Sequence, residues 1–186
     1  MIKREKAMGI LRTHVKGKFL FNHHLCVEAT MRAFARHFGE DENLWGICGL
    51  LHDLDWEITE SDVSKHTFVT AEILRAAGVD EIVIKAIAAH APWISGVNPE
   101  SMLEKCLYST EELTGLIVAC ALVRESKKIA DVSADSVMKK LRDKGFARGV
   151  DREIVGKAPE MLGMTMEEIV QIMLEAMKKI AEEIGL

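Results

Sequence analysis

The sequence predicts an all-α protein: a helical bundle followed by a C-terminal amphipathic helix. Three observations carry this expectation. Thirteen glycines and three prolines in 186 residues fall below the roughly 12% of ordinary chains, and Pro92, Pro99 and Pro159 leave the first 91 residues without a proline. No Asn-Gly or Asp-Gly pair between alternating residues marks a hairpin. Apolar residues recur instead at helical spacing between legible caps.

Taken in order, Asn22 opens a helix that carries Val27, Met31, Phe34, Ala35 and Phe38 on one face and closes at Gly39. Asp41 caps the next, through Leu44, Ile47, Leu50 and Leu51. A helix from Lys65 to Ala77 ends at Gly78. Asp80 opens another, with Ile82, Val83, Ala86, Ile87 and His90 at helical spacing. Asn98 before Pro99 reads as a cap followed by proline at the first helical position. That helix runs to about Arg124. Its stretch Leu113–Val123 is apolar nearly all round, which predicts the central buried helix. Ser133 caps a helix closed by Gly145, and Asp151 opens a short one before Pro159. Thr165 and Glu168 form a capping box. The helix behind it carries Met166, Val170, Met173, Met177, Ile180 and Ile184 as a seam. Such a seam packs on its own domain or, alternatively, joins two copies in a homodimer. The expected organisation is one domain over 1–186, with a core at about 20–155 and a helical extension at 160–186. Glu57–Ser64 and Trp93–Glu100 are the expected flexible stretches.

Composition narrows the function. With 48% apolar residues, 28% charged residues and a net charge of −5, the chain reads as soluble and globular, and not as a general nucleic-acid binder. The longest uncharged run in the second half is the 11-residue stretch Leu113–Val123, short of the ~20 residues a membrane span needs. The segment Met1-Ile2-Lys3-Arg4-Glu5-Lys6 lacks the apolar core of a signal peptide. Cys26, Cys48, Cys106 and Cys120 form no Cys-x-x-Cys pair and sit in apolar contexts, as reduced cysteines of a cytoplasmic protein do.

The histidines carry the chemistry. His52-Asp53 follows the apolar run Ile47–Leu51, and a buried imidazole beside a buried carboxylate is costly unless paired or metal-bound. His23 opens an earlier amphipathic helix, with His24 as its rival. His66 and His90 are expected on the apolar faces of later helices. Glu111, with Glu112 as its competitor, enters the most apolar helix. Mixed imidazole and carboxylate donors suit iron or manganese, and also zinc, cobalt or nickel, better than calcium. Asp55 and Glu57 follow the doublet and read as partners that orient a ligand histidine or as a solvated helix end. Among the basic residues Lys139, Lys140, Arg142, Lys144 and Arg148, the pair Lys144 and Arg148 are the candidates for a substrate phosphate. His14 and His37 read as surface or packing residues, and Trp45, Trp56 and Trp93 as core or lid packing.

The ordered series His23, His52-Asp53, His66, His90 and an acid near 111 resembles the HD-domain superfamily of metal-dependent phosphohydrolases. The similar stretches are His23–Ala29, Gly49–Glu57, Glu112–Ala119, Lys128–Val132 and Lys144–Val150, which cover about residues 20–155. The resemblance implies His23 as first ligand, His52 and Asp53 as the catalytic doublet, and His66 and His90 as the extra histidines of two-metal members. Glu111 stands where the family group has Asp. It keeps the charge and adds a methylene. The implied activity is hydrolysis of a nucleotide or other small phosphorylated metabolite by a water activated by one or two divalent metals, with Asp53 bridging two ions about 3.5–4 Å apart. Two rivals accompany this reading: a non-catalytic nucleotide-binding regulator with a structural or degenerate metal site, and a di-iron oxygenase on the same fold.

Overall fold

The structure is a computed structural model that describes residues 2–186; Met1, where the N-terminal reading begins, lies outside them. Among the described residues there are helices and turns and no strand. The longer helices are α1 (Arg4–His14), α2 (Lys18–Phe38) and α3 (Glu42–Leu51), followed by the single turn α4 (Trp56–Thr59). Next come α5 (Phe68–Ala76), α6 (Glu81–Ala88), the short α7 (Pro92–Ser95) and α8 (Met102–Leu122). The chain ends with α9 (Ala134–Arg142), α10 (Arg152–Val155), α11 (Ala158–Leu162), α12 (Met166–Lys179) and α13 (Ala181–Ile184). No described helix is long and apolar enough to cross a membrane.

Caps that act within one turn match the sequence reading. The Asp41 carboxylate accepts from the Asn43 and Leu44 amides, Ser133 from Ser136, and Asp151 from Glu153 and Ile154. The capping box Thr165–Glu168 is formed. Two expected caps are corrected. Asn22 lies inside α2, which starts four residues earlier, and its amide donates to the Ile184 carbonyl at 2.8 Å. The helix expected at Asn98 begins at Met102 instead, behind a capping box of Ser101 and Glu104. Serine with glutamate three residues on satisfies two free amides reciprocally, and this outcompetes the Asn-Pro signal.

One close approach sets the site. Gly49 faces α2 so closely that a Cβ there would lie 2.8 Å from the Val27 carbonyl oxygen, so α3 meets α2 backbone to backbone just beyond His23. The wholly buried side of α8 (Leu113, Leu116, Ile117, Cys120) packs into the core. Its other side (Gly115, Val118, Ala119, Leu122) faces a cleft, and Leu122 and Val123 are exposed. The all-round apolarity of Leu113–Val123 therefore reflects a core face plus a cleft face on the central, largely buried helix. Met173 and Met177 of α12 are fully buried where α12 packs on α2 and α9. The seam packs on the chain's own core, the first of the two readings of it. Glu28, 3% exposed, accepts from Arg4 at 2.6 Å and Arg32 at 2.9 Å, and so ties α1 to α2 through a paired buried charge.

Candidate metal centre

Five separate chain segments converge. His23 projects from α2. His52 and Asp53 occupy the turn that ends α3. His66 precedes α5, His90 follows α6, and Glu111 lies in the middle of α8. The expectation that His66 and His90 sit on helices is corrected: both occupy turns, where neighbouring elements fix them.

Each imidazole has its Nδ1 engaged. His52 Nδ1 lies 2.9 Å from the Gly49 carbonyl and His90 Nδ1 2.5 Å from the Ile87 carbonyl, acceptors that require N–H at Nδ1. His66 Nδ1 donates to the Asp55 carboxylate at 2.7 Å. The Thr114 hydroxyl spends its proton on the Glu111 carbonyl at 2.7 Å, so it accepts from His23 Nδ1 at 3.1 Å. All four Nε2 atoms are left to present lone pairs inward.

Those nitrogens meet in two pairs. His23 and His52 Nε2 are 3.1 Å apart, and His66 and His90 Nε2 are 3.2 Å apart. Asp53 stands between the pairs. Its Oδ2 is 3.5 Å from His52 Nε2 and 4.0 Å from His23 Nε2. Its Oδ1 is 3.2 Å from His90 Nε2 and 3.5 Å from His66 Nε2. Glu111 adds an oxygen to the first pair, 3.4 Å from His23 and 4.0 Å from His52. Nitrogens about 2.1 Å from one cation sit roughly 3.0–3.4 Å from each other, which the paired Nε2 distances match. Lone pairs facing at this distance repel unless a proton or a cation lies between them. The donor set therefore fits two cations sharing Asp53, and the triads His23, His52, Asp53 and Asp53, His66, His90 could each hold one.

The electrostatics follow from that arrangement. Burial opposes ionisation of Asp53, but His52, His90 and His23 around it hold its pKa well below the usual carboxylate range. Burial also works against protonated His23 and His90. Glu111 and Asp53 outweigh it at His23, and Asp53 with Glu111 outweighs it at His90, so both are raised. His52, buried and flanked by three other imidazoles, is lowered well below the ordinary value.

Further expected residues sort by geometry. Asp55 is fully buried; besides His66 it accepts from the Thr70 amide at 2.9 Å. Glu57 is corrected as a partner of the histidines: it accepts from the Lys16 and Gly17 amides at 3.0 and 2.7 Å, and so caps the start of α2 from outside. Glu112 is corrected likewise. It lines the cleft and accepts from the Asp151 amide, and burial beside Glu111 pushes its carboxyl up to about 7. Lys144 and Arg148 are exposed. Their loop enters the cleft through Ala147, Gly149 and Val150, so neither basic side chain joins the lining.

Two residues had no sequence signal for the part they play. Arg152 donates to the carbonyls of Leu141, Asp143, Phe146, Ala147 and Val150, which gathers the 143–150 loop at the cleft mouth. Thr67 has φ 68, a strained conformation for a β-branched residue, directly after His66. His24, the rival first ligand, is fully buried with neither ring nitrogen hydrogen-bonded. Its ring is tilted by 55° against that of His52, centres 5.1 Å apart, and burial lowers its pKa to about 4.

Comparison with known families gives one match. The HD domain family model covers residues 20–130, a span that includes all six converging donors. No curated protein and no solved structure matches the chain.

Proposed function

Because the chain belongs to the HD-domain family, we propose that it is a metal-dependent phosphohydrolase acting on the phosphate ester of a nucleotide or other small metabolite. The observation that carries this reading is the convergence of four committed-tautomer imidazoles on the two oxygens of one aspartate. In this reading His23, His52, Asp53 and Glu111 hold one divalent ion, and His66, His90 and Asp53 hold a second. Bound there, iron, manganese or a similar ion lowers the pKa of a water and polarises a phosphoryl oxygen.

The chain's own residues supply the rest. Asp53 stays ionised because its imidazole neighbours outweigh its burial, so it offers both oxygens at once. Asp55 and Thr114 fix the His66 and His23 rings through Nδ1, and the Gly49 and Ile87 carbonyls do the same for His52 and His90. Such orientation is what keeps each donor atom aimed at the reaction rather than at solvent. Glu111 reaches His23 despite its additional methylene, which favours an intact donor set over a degenerate one. One domain spanning the chain, in the cytoplasm, completes the proposal.

The test is metal content and turnover of protein purified without chelator or a histidine tag. Wild type is expected to hold close to two metals per chain and to hydrolyse phosphate esters. Asp53→Ala should retain none and lose activity by a factor on the order of 10³ or more, whereas His37→Ala should match wild type. Equal metal in both variants would overturn the assignment.

A further inference from the structure

The cleft above the imidazoles encloses about 620 Å³, and its chemistry is lopsided. Its lining contains the carboxylates of Asp53, Glu111 and Glu112 and no lysine or arginine. Elsewhere its walls are apolar, with Phe19, Trp56, Val63, Trp93 and Leu122 at the mouth. Those five are among the nine large apolar side chains exposed on the described surface. Scattered exposed apolar residues are ordinary, but their concentration around one opening marks a binding surface. Trp56 stands edge-on to His66, ring centres 5.3 Å apart, so the apolar wall begins at the metal-binding donors themselves.

A second chamber of about 350 Å³ continues the cleft between α2, α8 and the 184–186 segment. The two share Phe19, His23, Gly115, Val118 and Leu122. In the second chamber Asn22 is already committed to Ile184, and Thr114 to Glu111 and His23. Lys18 is the one lysine or arginine among the described residues that line it.

We propose that the substrate is a phosphate monoester whose alcohol is a bulky apolar group, and that nucleoside polyphosphates are excluded. This rests on the phosphohydrolase reading. The charge of two divalent ions, less the carboxylates of Asp53 and Glu111, matches a single phosphate dianion of about −1.5 to −2. Additional phosphates would meet Glu112 and no guanidinium or ammonium group in the chamber that holds the imidazoles, Lys18 lining only the second one, whereas charge-assisted hydrogen bonds are what normally hold them. The apolar alcohol extends from the ester oxygen past Trp56 and Val118 and leaves water behind in both chambers.

Ethyl and octyl phosphate test this, since their alcohols leave equally well and differ only in apolar length. With the manganese-loaded protein, kcat/KM for octyl phosphate is expected to exceed that for ethyl phosphate by a factor on the order of 10², with ATP the poorest of the three. The non-hydrolysable ethyl- and octylphosphonates give a second readout through tryptophan fluorescence, with the same ordering in Kd. Val118→Asp, in the wall and away from the imidazoles, should shrink both ratios to within about threefold at unchanged metal content. Equal rates and equal Kd values, or ATP turned over faster than octyl phosphate, would overturn the inference and leave the phosphohydrolase reading standing. Selective binding of octylphosphonate without hydrolysis of either ester would uphold the apolar site and overturn the reading beneath it.

Discussion

Asp55 shows how one side chain can set another's direction. Its two oxygens take the His66 Nδ1 proton and the Thr70 amide, and between those partners Thr67 is forced to φ 68. Such strain costs roughly 1–3 kcal/mol, so something must hold it, and the buried carboxylate is the group in position. Asp55→Ala should therefore destabilise by about 2–3 kcal/mol and lower metal content from two per chain towards one, because His66 loses its aim. A variant that still carries two metals would mean that the surrounding packing positions His66 unaided. His24 makes the opposite case. A neutral, unpartnered ring inside the core contributes shape and pays for two unsatisfied nitrogens. His24→Phe should keep both metals and leave stability unchanged or raised; loss of the first metal would make His24 a ligand after all. The sequence could separate His23 from His24 only by helical phase, yet that phase is what aims His23 at His52. It offered no means of finding Arg152 or Thr67, because their parts depend on a folded loop and on a strained backbone angle.

At the scale of elements, caps were legible where both partners lie within one turn, as at Asp41, Ser133, Asp151 and Thr165. They were not legible where a distant segment competes, as at Asn22, drawn to Ile184, or at the start of α2, capped by Glu57 from 40 residues away. His66 and His90 fell into turns for the same reason: apolar spacing continues through a helix end, and only tertiary partners reveal where the helix stops. Gly49 is a second tertiary feature. Alanine there would press a methyl group onto the Val27 carbonyl, push α3 from α2 and separate His52 from His23. Gly49→Ala should cost about 1–3 kcal/mol and deplete the first metal. Gly9→Ala, with open space around it, should instead gain up to about 1 kcal/mol. Thermal denaturation and metal analysis of the two variants distinguish local crowding from a general intolerance of helical alanine. On α8, backbone amides at Glu100 and Ser101 hold the Glu104 carboxylate, and although burial opposes it, they lower its pKa. A lowered carboxylate stabilises above its unfolded pKa and ceases to do so as pH falls through the folded one. Glu104→Gln should then cost about 0.5–1 kcal/mol at pH 7 and close to nothing at pH 3; an equal cost at both would assign the effect to packing.

For the whole molecule, the donors come from α2, the end of α3, the turn before α5, the turn after α6, and α8, so ions held there would tie together segments almost 90 residues apart in sequence. The same convergence concentrates like dipoles and facing lone pairs, which the fold tolerates only because the apolar core around Phe34, Leu50, Leu107 and Met173 holds those elements regardless. That balance predicts a metal-free protein that remains folded but melts earlier. An ion at 100 times its Kd stabilises a site by about 2.7 kcal/mol, and for a chain of this size each kcal/mol moves Tm by roughly 2–4 °C. Manganese should therefore raise Tm by roughly 5–10 °C for one occupied site and about twice that for two, and excess EDTA should remove the gain. Asp53→Ala should melt at the same temperature with and without manganese. A wild-type Tm indifferent to both manganese and EDTA would mean that the imidazole pairs are satisfied by shared protons alone. A gain of about half the expected size, matched by His66→Ala, would reduce the centre to the single site of His23, His52, Asp53 and Glu111.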